Sequence, residues 1–144
     1  IMMDISDQVS EEQRLRKLCD TDPLTELPNR RKLMVHLTNI ASLSTRHGTP
    51  LSIMMIDIDH FKRLNDRWGH LHGDDVLKQL AMQAQSLLRC EDMYDFGMGA
   101  GQVTLSIGIA EFRCGEPLTS LIERADQALY NAKDIGRDCV CLLR

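Results

Sequence analysis

At 144 residues the chain suits one domain with a single core, and 17 Lys and Arg against 21 Asp and Glu leave it without the basic field that drives sequence-independent nucleic-acid binding. A small-molecule partner is expected, and no nucleic acid. Five cysteines, Cys19, Cys90, Cys114, Cys139 and Cys141, form no CxxC pair, and neither a signal-peptide pattern nor an apolar run of transmembrane length is present, so a reducing, cytoplasmic location with no membrane segment is expected.

Residues 1–21 are polar, with Ser10-Glu11-Glu12-Gln13 at capping-box spacing and a thin apolar stripe of Val9, Leu15 and Leu18. They read as a solvated linker helix or as the tail of a signalling helix. Asp22-Pro23 breaks that helix, because the residue before proline avoids the α region. Asn29 is an N-cap for a helix to about Arg46, with Leu33, Met34, Leu37, Ile40 and Ala41 on one face and His47-Gly48 as its stop.

Leu51 to Ile58 is a nearly unbroken apolar run, expected to form a central strand covered on both faces. Asp57 and Asp59 stand at its C-terminal end, where open α/β sheets place their ligands. A glycine-punctuated loop follows, and Asp74 or Asp75 is expected to open a helix carrying Val76, Leu77, Leu80, Ala81, Ala84, Leu87 and Leu88. Between Asp57 and Asp74 the chain offers carboxylates for a hard cation, Lys62 for phosphate, and Asn65 and Asp74 as an amide and an acid able to read a base edge. That combination suits a nucleotide. His70 and His72 have no third partner at ligand spacing and read as turn and surface residues.

Val103, Leu105, Ile107 and Ile109 alternate with Thr104, Ser106 and Gly108, a strand with one polar face. Pro117 suits a helix first turn, and Leu118, Leu121, Ile122, Ala125, Ala128, Leu129 and Ala132 trace an inward face ending at Gly136. Cys139 to Leu143 reads as a last short strand in which the two cysteines act as small hydrophobes. Strands and helices alternate, so the class is α/β or α+β, with helices packed on a sheet.

The segment DIDHFKRLNDRWGHLHGDDVL resembles, almost residue for residue, the motif after the first strand of GGDEF domains, the diguanylate cyclases that join two GTP into cyclic di-GMP. The likeness extends to DPLTELPNRRKL at Asp22–Leu33, VTLSIGIA at Val103–Ala110 and RADQALYNAKDIGRD at Arg124–Asp138. It implies a GGDEF domain over residues 22–144, with a central, mainly antiparallel sheet flanked by helices and related to the palm of adenylyl cyclases and polymerases. It also implies roles. Asp57 would be the metal carboxylate, assisted by the backbone carbonyl of Ile58 and holding Mg²⁺, with Mn²⁺ as a substitute. Asn65 and Asp74 would read guanine. Lys62, Lys133 and Arg137, with the backbone amides of His60 and Phe61, would contact the triphosphate, and Asp59 and Asp66 would hold loop geometry. Two domains must face each other, so a homodimer is expected, with an upstream sensor and with GTP and cyclic di-GMP as ligands.

The GG(D/E)EF signature itself is absent from the 144 residues. Only RCEDMYDFGMGAGQ, Arg89 to Gln102, stands where the family carries a hairpin and a helix. Losing two strands and their covering helix would expose apolar faces at a cost of several kcal/mol in a domain stable by about 5 to 15. A segment missing near residues 93–94 is therefore expected, and with it the second metal carboxylate. Arg89 and Asp92 match the R-x-x-D by which many of these enzymes bind product as a feedback inhibitor. The alternative is a degenerate GGDEF domain that binds GTP or cyclic di-GMP without catalysis.

Overall fold

The computed structural model of the chain describes residues 4–87 and 103–144. Helix α1 (Ile5–Asp20) starts at Asp4, whose carboxylate accepts from the Ser6 amide, so Ser10 lies inside the helix instead of capping it. No α1 residue is buried. An isolated bridge between Thr21 and Pro28 closes the turn that follows, and the Asp22 carboxylate accepts from the amides of Leu24 and Thr25. Helix α2 (Arg30–His47) has the expected Asn29 cap, accepting from the Lys32 amide at 3.0 Å, and ends at left-handed Gly48. Its buried stripe is Leu37, Ala41 and Ser44, whereas Leu33 and Ile40 are exposed.

Strand β1 (Ser52–Ile58) leads into α3 (Phe61–Trp68) and α4 (His70–Leu87), hinged at Gly69 with φ 89°. The expected loop is thus a helical hairpin, and Asp74 lies inside α4 instead of opening it. Phe61, Leu64 and Trp68 do carry helical spacing within that stretch. Strand β2 (Leu105–Glu111), α5 (Leu118–Ile135) and β3 (Val140–Leu143) complete the order, with Pro117 immediately ahead of α5 and Gly136 as its C-cap.

The sheet runs β1-β2-β3. β1 and β2 pair antiparallel over seven positions, from Ser52 opposite Glu111 to Ile58 opposite Leu105, and β2 and β3 pair parallel over four. Among the described residues β2 is therefore central and β1 an edge, the reverse of the expectation, because an apolar run reports covered faces and not paired edges.

The polar-looking side of β2 is its buried side. Ser106 and Ala110 are fully buried, and Gly108 lies under the α5 backbone: a Cβ there would fall 2.5 Å from the Ala125 carbonyl oxygen and 2.7 Å from Leu129 Cα. Ala125, Ala128 and Ala132, all fully buried, let the helix come so close. Ala110, Leu121 and Ala125 form the core, with Ile53, Met55, Phe112 and Leu118 packed around it. The opposite face carries two cross-strand rows, Met54–Ile109–Leu142 and Ile56–Ile107–Val140. Its edges are open among the described residues, with Met54 54%, Ile56 41%, Val140 58% and Leu142 51% exposed. Among the described residues β1 is thus covered on one face.

Candidate active site

The site lies where β1 ends and α5 ends. Asp57, one residue before the end of β1, meets Lys133 in the last turn of α5, with Nζ 2.6 Å from Oδ2. Both side chains are partly exposed, at 43% and 36%. Ile58 closes the strand and is buried, leaving its backbone as the part able to serve a ligand.

Asp59, two residues beyond Asp57, is held by other partners. It is 8% exposed, and its carboxylate accepts from Ser106 Oγ at 2.6 Å, Thr104 Oγ1 at 2.6 Å and the Asp138 amide at 3.0 Å. Burial alone would push this acid up, but the bonds from Ser106, Thr104 and Asp138, with the Arg137 charge, outweigh burial and hold it below its ordinary value. Gly136, Arg137 and Asp138 all have positive φ, 137°, 67° and 46°. For the two residues that are not glycine, the left-handed region costs about 1 to 2 kcal/mol each, so this turn is held by its surroundings.

His60 is also in the left-handed region, at φ 56° and ψ 34°, and it aims the first turn of α3. The leading amides of that helix have no intrahelical acceptor and suit phosphate oxygens. Lys62 is exposed on the same turn. Asn65 sits one turn later with its Oδ1 buried and unpartnered among the described residues. Gly73 makes room for it: a Cβ there would overlap Asn65 Oδ1 and lie 3.2 Å from Phe61 Cζ. Asp74, the next residue of α4, is half-buried. An orphaned amide oxygen is an acceptor that a ligand presenting N–H donors would satisfy.

The structure thus brings Asp57 and Lys133 into contact, sets Arg137 on the adjoining turn, and packs Asn65 against Gly73, the residue before Asp74. Arg89 and Asp92 lie outside the described residues. Sequence reasoning missed Thr104, Ser106 and Asp138 as the partners of Asp59. It also missed Arg63, Arg67 and Trp68, which line a cavity of about 230 Å³ with Asp59, His60, Leu64 and Thr104. The spacing of Arg63 and Arg67, one helical turn apart, was the available signal.

The donor set suits Mg²⁺ in part. That ion takes one or two carboxylates and completes its shell with phosphate and water. The ammonium on Asp57 shows those oxygens directed at a cation. No group of three or more His, Cys, Asp or Glu capable of holding a metal occurs among the described residues.

A family model described as "Diguanylate cyclase, GGDEF domain" matches residues 19–95 and 94–139. The chain belongs to the GGDEF family. It is 38% identical to diguanylate cyclase DgcP of Pseudomonas aeruginosa over 164 residues, covering 89% of this chain and 24% of that protein. A diguanylate cyclase of Vibrio cholerae is 31% identical over 181 residues, covering 100% of this chain and 56% of the relative. The chain therefore spans about a quarter and just over half of these two relatives. In three dimensions it resembles the coiled coil and GGDEF domain of DgcB from Caulobacter crescentus in complex with c-di-GMP, with a TM-score of 0.72, 28% identity, and coverage of 96% of this chain and 97% of that one. The GGDEF fold expected from the motif is the fold observed.

Proposed function

We propose that this GGDEF domain belongs to an active diguanylate cyclase that condenses two GTP into cyclic di-GMP and releases two pyrophosphates. The observation carrying this reading is the 2.6 Å meeting of Asp57 with Lys133, residues from two separate motifs, at the end of the edge strand. A 3′-hydroxyl must attack an α-phosphorus while pyrophosphate leaves, so binding, in-line geometry and charge stabilisation dominate the chemistry. Lys133, Arg137, Lys62 and the amides at the start of α3 hold the triphosphate, and Asn65 with Asp74 read guanine. Asp57 and the Ile58 carbonyl would hold Mg²⁺, which when bound supplies a Lewis acid at the phosphate oxygens.

Each domain holds one GTP, and the twofold product calls for a C2 pair of domains, hence a homodimer at the moment of reaction. Arg89 and Asp92 are proposed to hold product and slow turnover, a guanidinium fork facing phosphate or a guanine edge. An unburied α1 suits coupling to an upstream sensor, and the compared DgcB structure also includes a coiled coil.

The second metal carboxylate is assigned to a segment between residues 93 and 95. The family model matches in two stretches that meet at 94–95, and the Vibrio cholerae alignment runs over 181 positions against 144 residues, leaving 37 without a counterpart here. The absence of the signature from the chain as written favours the second reading, a domain that binds GTP or cyclic di-GMP without catalysis. GTP with Mg²⁺, the product being resolved by chromatography, decides between them: cyclic di-GMP formation supports the cyclase, and nucleotide binding without product supports the binding module.

A further inference from the structure

We infer that Asp59 is a positioning residue for Arg137, holding the turn after α5 in the conformation that presents this guanidinium to the triphosphate; the inference rests on the cyclase reading above. Asp59 stands two residues from Asp57, in the same acidic pair, yet its two oxygens are already engaged. Oδ1 accepts from Ser106 Oγ, and Oδ2 accepts from Thr104 Oγ1 and the Asp138 amide. A buried carboxylate with three donors converging on it keeps only one of its roughly four acceptor directions, and so makes a poor metal ligand.

What it holds is a turn that would not hold itself. Gly136, Arg137 and Asp138 occupy positive φ in succession, a run that L residues avoid. On the α5 side the Ala132 carbonyl accepts from the amides of Gly136 and Arg137. On the sheet side the Asp138 amide donates to Asp59, and the Cys139 carbonyl then accepts from the Ile107 amide at 3.0 Å, just ahead of β3. Arg137 therefore sits between two anchors, and its direction depends on both. The two cations at the end of α5 are thus each referred to one of the two acids at the end of β1, Lys133 by direct contact with Asp57 and Arg137 through the backbone that Asp59 grips.

The variant that separates positioning from metal binding is Asp59→Asn. Asparagine keeps an acceptor for the Asp138 amide and Thr104, and its NH₂ can donate to Ser106 Oγ, but it removes the charge a metal ligand must supply. The probe is a GTP analogue with an α,β-methylene bridge, titrated calorimetrically with Mg²⁺. Asp59→Asn is expected to stay within about threefold of wild type, whereas Asp59→Ala weakens the analogue about tenfold or more, and adding Arg137→Ala to Asp59→Ala weakens it little further. A loss of thirtyfold or more in Asp59→Asn, or wild-type affinity in Asp59→Ala, overturns the inference. Hydrogen exchange on the wild-type chain keeps it testable even if Asp59→Ala fails to fold: the Asp138 amide must be protected, and rapid exchange there overturns the inference too. A wild type that does not bind the analogue while its Asp138 amide is protected sinks the cyclase reading and, with it, the role given to Arg137.

Discussion

Lys133 Nζ lies 2.6 Å from Asp57 Oδ2, joining the last turn of α5 to the end of β1 across 76 positions of sequence. Because both groups are partly exposed, the pair adds little to stability, about 0 to 1 kcal/mol. Its worth is in direction, since it fixes a cation beside the acid proposed to face substrate. Lys133→Ala is expected to leave the melting temperature nearly unchanged while weakening GTP roughly 10- to 100-fold, the scale of one hydrogen bond to a charged group. Parallel melting and nucleotide titration check this, and unchanged GTP affinity would reduce Lys133 to an ordinary cationic helix end.

Asp57→Asn is expected to abolish cyclic di-GMP synthesis, because a neutral amide of the same shape cannot offset a divalent charge beside a triphosphate. The sequence alone suggests that losing this charge could relieve repulsion from Asp59 and stabilise the fold. The structure argues otherwise, since donors from Ser106, Thr104 and Asp138 already meet the Asp59 carboxylate and Asp57 is paired with Lys133. A small loss, below about 1 kcal/mol, is expected instead. Product chromatography at equal folded concentration is the check, and an active variant removes Asp57 from the metal site.

Local signals were legible and distant ones were not. Asn29, Gly48, Pro117 and Gly136 mark helix ends through backbone chemistry that each residue carries alone, and all four stand at α2 or α5 ends. The α3–α4 hairpin was hidden because Asp74 and Asp75 resemble an N-cap, whereas the helix starts at His70 and tolerates Gly73 for the sake of Asn65. The polar alternation in β2 was read correctly as period two, but burial fell on the small side because α5 needs close approach more than it needs large apolar partners. The bonds that hold Asp59 span 45, 47 and 79 residues, and no spacing rule reaches that far. Only the motif resemblance suggested that Asp57 and Lys133 serve one site.

Asn65 carries a buried oxygen without a partner among the described residues, a cost of about 1 to 3 kcal/mol in the free protein that a bound base would repay. Asn65→Ala is therefore expected to melt no lower than wild type, and even slightly higher, while GTP affinity falls about tenfold or more. Discrimination against ATP should shrink at the same time. A variant that loses stability but keeps its preference for guanine would make Asn65 a structural residue of the hairpin.

Gly108→Ala tests the contact that carries the site. The new methyl meets the backbone of α5 at Ala125 and Leu129, which cannot rotate away as a side chain would. The helix must shift, at a cost of about 1 to 3 kcal/mol for overpacking, and Lys133 and Arg137 move with it. Reduced stability and weakened GTP binding should therefore appear together. Weakened stability with unchanged affinity would show that the end of α5 is positioned by its own turn and by Asp59, not by packing on β2.

The rows Met54–Ile109–Leu142 and Ile56–Ile107–Val140 put an apolar surface on the sheet that no described residue fully covers. A contiguous apolar patch of this kind marks a surface that something else buries. The break between the two matched stretches at residues 94–95 supplies a candidate: a segment inserted there would carry the signature acid and lie over these strands. Peptide mapping of the protein from its native source is expected to find an additional segment between Met93 and Asp95. A 144-residue chain made as written should bind a hydrophobic dye such as ANS strongly, and the longer protein weakly. A native protein without that segment, together with weak dye binding by the 144-residue chain, would show that the face is closed without any insertion, leaving the binding module as the better reading.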